Sequence, residues 1–139
     1  MKIGQYELHS IETGKFALDG GAMFGIVPKE LWSKLHPADD KNRIDMALRS
    51  LLIMDDKRKI LIDTGIGTKL SKKSQKIYKL DQTEYNLEAS LKKYDLETKD
   101  ITDVILTHLH LDHVGGATYL NGKKQKFTFP NATYYVQKT

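Results

Sequence analysis

Six consecutive residues, His108-Leu109-His110-Leu111-Asp112-His113, followed directly by Val114-Gly115-Gly116, constrain this chain more than any other feature. Side chains with metal-binding donors crowd so short a span only if the backbone gathers them. A lone histidine is usually a packed or surface residue. Three of the chain's five histidines at this spacing with an aspartate have no comparable structural use. In an extended backbone alternate side chains share a side, so His108, His110 and Asp112 would converge while Leu109 and Leu111 face an apolar layer. His113 breaks that alternation. It needs a turn, which the following glycines permit, to reach a second ion beside the first.

The flanking residues predict how the motif is delivered. Ile101-Thr102-Asp103-Val104-Ile105-Leu106-Thr107 is short, apolar and β-branched, and reads as a buried strand with the motif at its carboxyl end, where open α/β sheets place their sites. Ala117-Thr118-Tyr119-Leu120 is expected as a short helix stopped by Asn121-Gly122. Ile3 to Phe16 predicts one or two strands broken near Thr13-Gly14. Asp19-Gly20-Gly21 begins a loop carrying Met23 and Phe24, and Pro28 to Leu35 is a helical turn with proline at its start. After the polar connection His36 to Asn42, Ile44 to Met54 is a long strand that Asp55-Asp56-Lys57-Arg58 turns back into Lys59 to Asp63. Asn86 to Tyr94 is the principal helix, with Leu87, Leu91 and Tyr94 on one face, Asn86 as cap and lysines late. Phe127 and Phe129 alternate before a final strand, Thr133 to Val136.

Composition narrows the setting. A chain of 139 residues with 40% apolar content suits one domain with a core. No apolar run is long enough for a membrane span, and Met1 to Glu7 lacks the apolar stretch of a signal peptide, so a cytoplasmic location is expected. With no cysteine, any metal must be held by nitrogen and oxygen. The net charge of +4 invites a nucleic-acid partner. The lysines argue against one: Lys69, Lys72, Lys73, Lys76 and Lys79 are the densest stretch, and Lys92, Lys93, Lys123, Lys124 and Lys126 lie elsewhere, as on a solvated surface. His9 and His36 lie outside any ligand-spaced cluster and are assigned no role.

The run H-x-H-x-D-H-x-G-G after a short apolar strand resembles the signature of the metallo-β-lactamase superfamily of metal-dependent hydrolases. Lys59-Ile60-Leu61-Ile62-Asp63-Thr64-Gly65 is similar to the strand and D-T-G turn that members carry upstream. Met23-Phe24-Gly25-Ile26-Val27-Pro28-Lys29 is more loosely similar to lactonase-like and phosphotriesterase-like members. The resemblance implies an α+β chain, the N-terminal half of an αββα sandwich, with a mostly antiparallel or mixed sheet and one or two helices. It implies two zinc ions with His108, His110, Asp112 and His113 as metal ligands, Asp63 as a carboxylate supporting the metal loop, and Asp112 as the catalytic residue that orients a zinc-bound hydroxide. Members take two further histidines and a bridging aspartate from later sequence. From Val114 to Thr139 there is no His, Asp, Glu or Cys. Residues 1–139 are therefore expected to be a single partial domain, an inactive N-terminal portion of a longer hydrolase whose exposed sheet face is covered by self-association or by the missing half.

Two enzymatic readings follow, with a third that is not enzymatic. The first is a hydrolase of esters, lactones or similar small molecules; the second, a nuclease or phosphodiesterase of the same fold using basic residues to hold phosphate. The third is a degenerate binding or assembly module. Met23, Phe24 and Trp32 either line an apolar entrance for an acyl chain or pack in the core.

Overall fold

A computed structural model describes residues 1–138. Its strands are β1 (Lys2–Ile3), β2 (Tyr6–Asp19), β3 (Arg43–Met54), β4 (Lys59–Ile62), β5 (Asp103–Leu106), β6 (Thr118–Asn121), β7 (Lys124–Phe127) and β8 (Thr133–Val136). The helices are short: α1 (Gly20–Phe24), α2 (Lys29–Trp32), α3 (Lys72–Ile77), α4 (Leu87–Lys92) and α5 (Leu111–Val114). Six strands form a mixed sheet in the order β1-β2-β3-β4-β5-β8, and β6-β7 form a separate ribbon. No helix among the described residues is long and apolar enough to cross a membrane.

The expected strands form where the apolar runs lie. β2 and β3 pair antiparallel along their length, and the expected break at Thr13-Gly14 is a shift of register between Glu12 and Gly14 rather than a chain reversal. The turn after β3 closes because the Asp55 carboxylate accepts the N–H groups of Lys57 and Arg58 at 2.8 and 2.6 Å. β4, β5 and β8 are mutually parallel, so the chain between β4 and β5 must cross over, and α3 and α4 lie on that excursion. Asn86 caps α4, accepting from Ala89 N at 2.9 Å, and Leu91 enters the main core with Ile11, Leu52, Leu61, Val104, Leu106 and Phe129.

Three local readings differ from the structure. Thr118–Asn121 is a strand, not a helix. Asn121 and Gly122 turn it into β7, with Gly122 at φ 61°, so the Asn-Gly pair acts as a hairpin turn instead of a helix stop. The glycine-rich segment after Asp19 is helical, because the Asp19 carboxylate caps it by accepting from Ala22 N at 2.8 Å. α3 was not expected within the lysine-rich stretch, although Ser71 caps it by accepting from Ser74 N at 3.1 Å.

The sheet is apolar on both sides. Leu52, Leu61 and Val104 share a rung that faces the main core, whereas the adjacent rung, Leu51, Ile62, Ile105 and Tyr135, faces the other way. Ile105 and Tyr135 on that outer face are 36% and 46% exposed. Continuous apolar runs such as Leu51-Leu52-Ile53-Met54 and Ile60-Leu61-Ile62 belong to strands meant to be covered on both faces.

At the start of β5 the buried Asp103 carboxylate receives Arg58 Nε and Nη2 at 3.2 and 2.9 Å, the Thr102 hydroxyl at 2.6 Å and the Tyr135 hydroxyl at 3.1 Å. The Arg58 hydrogen bonds, against burial and with help from Thr102 and Tyr135, hold Asp103 below the usual carboxylate range. A lowered folded-state pKa contributes stability that is present above the ordinary carboxylate pKa and is lost as pH falls through the lowered one. Asp103→Asn is therefore expected to cost on the order of 1–2 kcal/mol at pH 7 and markedly less near pH 3 in urea denaturation. An equal loss at both pH values would contradict this assignment.

Candidate metal centre

The four motif side chains sit where β5 ends. After Leu106 the backbone is irregular through His110, and Leu111 begins the helical turn α5 with His110 as its N-cap residue. The alternation of an extended segment thus stops at His110. Asp112 and His113 are turned by α5, and the turn precedes the glycines instead of using them. Leu109 and Leu111 are 65% and 38% exposed, so neither is buried against an apolar layer here. The outcome is still a cluster: the His108 ring lies 4.7 Å from that of His110 and 4.0 Å from that of His113, centroid to centroid.

Asp63 organises this cluster from the end of β4. Its backbone adopts φ 58°, a left-handed conformation uncommon outside glycine, and its N–H donates to Ile105 O at 2.9 Å. The carboxylate so placed accepts Thr107 N at 2.9 Å and His113 Nδ1 at 2.8 Å, and lies 2.8–3.0 Å from the Thr107 hydroxyl. Burial raises the Asp63 pKa, but the hydrogen bonds from His113 and Thr107 outweigh it and leave the carboxyl below its usual range.

This network dictates which ring nitrogens remain available. Asp63 has no proton to give, so His113 Nδ1 is the donor of that pair. The Thr107 hydroxyl has one proton and spends it on Asp63, so His108 Nδ1, 3.0 Å away, donates to its oxygen. In the neutral ring this leaves Nε2 of each histidine as the acceptor. His113 Nε2 lies 3.3 Å from Asp112 Oδ2. Two acceptors that close call for a proton or a cation between them, and imidazole nitrogen with carboxylate oxygen is a donor set that divalent metals take. In chemistry the residues fit a metal. In number they fall short: among the described residues no three such side chains are arranged to hold one ion.

The glycines serve close approach. A side chain on Gly116 would run into the Thr64 carbonyl oxygen and one on Gly115 into that of Ile66. That contact lets Thr64 N and Oγ1 donate to His113 O at 2.8 and 2.9 Å and Gly116 N to Gly65 O at 2.8 Å. Thr107 and Thr64 carry no ligand chemistry that would mark them in the sequence, though each stands beside a residue that does, His108 and Asp63. Lys69 is not the solvated surface group that its lysine-rich stretch suggests: it is half-buried, its ammonium 2.7 Å from both Gly115 O and Thr118 O, and burial pushes its pKa down.

A cavity of about 1050 Å³ runs behind the loop along Thr64, Gly67, Gly116 and Thr118, and none of the four motif side chains lines it. Trp32 is buried and stacks on Phe24 at 5.0 Å, so these two are packing residues, while Met23 borders a separate cavity of about 590 Å³ with Lys41, Lys73 and Lys76. His9 packs on Tyr94 at 4.4 Å and His36 beside Phe24 at 5.4 Å, both apart from the cluster.

Comparison with known proteins follows the same lines. The sequence profile of the metallo-beta-lactamase superfamily matches residues 49–135. A solved structure of a probable metal-dependent hydrolase from Staphylococcus aureus matches 99% of the chain at 40% identity and TM-score 0.88, over 48% of its own length. AidC, a dizinc quorum-quenching lactonase in complex with a product, matches 99% at 29% identity and TM-score 0.73, over 44% of its length. Hydrolase AbOPH, in the beta lactamase superfamily, shares the fold at 24% identity and TM-score 0.70. The chain spans about half the length of these structures. A search of curated proteins finds no match.

If Asp63 holds the ring of His113, Asp63→Asn should lower zinc affinity roughly 10–100-fold in calorimetric titration while the circular dichroism of the sheet is kept. Unchanged affinity would remove Asp63 from the centre.

Proposed function

The chain belongs to the metallo-beta-lactamase superfamily, and from that premise we propose that it supplies metal ligands to a metal-dependent hydrolase cleaving esters, lactones or similar small-molecule bonds. The observation that carries this reading is that His113 Nδ1 is bonded to Asp63 and His108 Nδ1 to Thr107, which leaves Nε2 of each ring for a metal, that of His113 3.3 Å from Asp112 Oδ2. His108, His110, Asp112 and His113 are the proposed ligands, shared between two zinc ions. Likeness to a dizinc lactonase at 29% identity supports the lactone class and the zinc. Zinc bound there would supply Lewis acidity at the scissile carbonyl and a water acidic enough to attack at neutral pH.

The chain's own groups do the rest. Asp63 fixes the tautomer and orientation of His113, and Thr107 does the same for His108, so that neither ring must reorganise during turnover. Asp112 Oδ2, beside His113 Nε2, is placed to accept a proton from the nucleophilic water and return it to the departing alkoxide.

The outer sheet face belongs to the same proposal. The rung Leu51, Ile62, Ile105 and Tyr135 is apolar and partly exposed, and a second layer over it would come from further polypeptide or from another copy of the chain.

Two measurements test the reading. Turnover on panels of lactones and phosphodiesters by the zinc-loaded enzyme should favour lactones, and His110→Ala should abolish it; activity surviving that change would overturn the metal assignment. The 139 residues alone should bind zinc weakly and self-associate in light scattering. A monomer with two tight zinc sites would contradict the proposed need for a second layer.

A further inference from the structure

Among the described residues, Lys69 is a charged group that the function proposed above leaves without a task while it touches the loop that carries it. Its three ammonium protons meet three oxygens: the Gly115 carbonyl at 2.7 Å, the Thr118 carbonyl at 2.7 Å and the Thr118 hydroxyl. All three acceptors are neutral. A lysine in a basic surface stretch ordinarily keeps its head in water, and drawing it onto neutral oxygens forgoes that hydration without a counter-charge. What the arrangement secures is position. Gly115 directly follows α5, which carries Asp112 and His113, and Thr118 opens β6 just beyond it.

The other contacts on this segment come from the same side. Thr64 N and Gly116 N make backbone bonds across it, and Gly67, Gly115 and Gly116 leave no room for side chains between the two segments. Lys69 lies at the end of that run and reaches over both the end of α5 and the start of β6. A cation also suits the carbonyl end of a helical turn, where the backbone dipoles point their negative ends.

We propose that Lys69 is a positioning residue for the candidate metal loop, clamping the segment after α5 so that His113 and Asp112 are presented in one direction. This rests on the metal reading for its consequence, though not for its geometry. Lys69→Met keeps the length of the side chain and removes its donors; Lys69→Arg keeps charge and donors. In the metal-free protein, hydrogen exchange at the Thr64 and Gly116 amides should quicken about tenfold in Lys69→Met, with Ala89 and Ser90 of α4 unchanged, and Lys69→Arg should restore most of the protection. On loading with cobalt(II), Lys69→Met should bind about tenfold more weakly and shift the visible absorption bands, as loss of an outer support does.

Exchange equal to the parent, or faster throughout the sheet, would overturn the clamp. So would local exchange with cobalt affinity and spectrum unchanged. If the parent protein takes up no cobalt, the metal reading fails, while the exchange comparison still decides whether Lys69 holds the loop. Should Lys69→Met not fold, Thr118→Val removes one of the three acceptors and should give the same local pattern, smaller in size; no change there would count against the proposal.

Discussion

The carboxylate of Asp63 is the point on which the rest of the site depends. It sits at the end of β4 with a left-handed backbone, buried, and takes hydrogen bonds from the Thr107 backbone, the Thr107 hydroxyl and His113 Nδ1. One small group thereby ties the ends of two parallel strands to a helical turn beyond them. Left without these donors a buried carboxylate would cost several kcal/mol, so the partners hold one another in place. The availability of both Nε2 atoms, and hence any metal chemistry, follows from that arrangement.

The sheet makes this possible by bringing β4 and β5 side by side in parallel, with Ile62 opposite Ile105, so that Asp63 and Thr107 leave the sheet at the same edge. The crossover between them is long, and the core face of the sheet is closed by Leu91, Leu96 and Phe129 from outside the sheet. The outer face has no such cover among the described residues. Its exposed apolar rung includes Ile105, on the strand that leads into the candidate metal loop.

Much of this was legible in the amino-acid sequence. Leu51 to Met54 and Ile101 to Thr107 announced strands because β-branched and apolar runs of that length have few other uses, and Asn86 announced α4 because its side chain caps the first turn. Ala117 to Leu120 misled, since four residues carry too little periodicity to separate a helical turn from a strand, and the hairpin partner decided it. Lys69 was invisible for a different reason: a lysine among lysines carries no local sign that three oxygens from a distant segment surround it.

By itself the sequence picked out the candidate donors, His108, His110, Asp112 and His113, and determined the strand that leads into them, because spacing and side-chain chemistry are local properties. Only the tertiary structure decided that Asp112 and His113 ride on a helical turn, that Asp63 and Thr107 choose which ring nitrogens stay free, and that Lys69 grips the loop from behind. The contacts of Asp63 and Lys69 join residues 44 to 50 positions apart. They form only once the parallel sheet aligns the strand ends, and no pattern within either segment encodes that alignment.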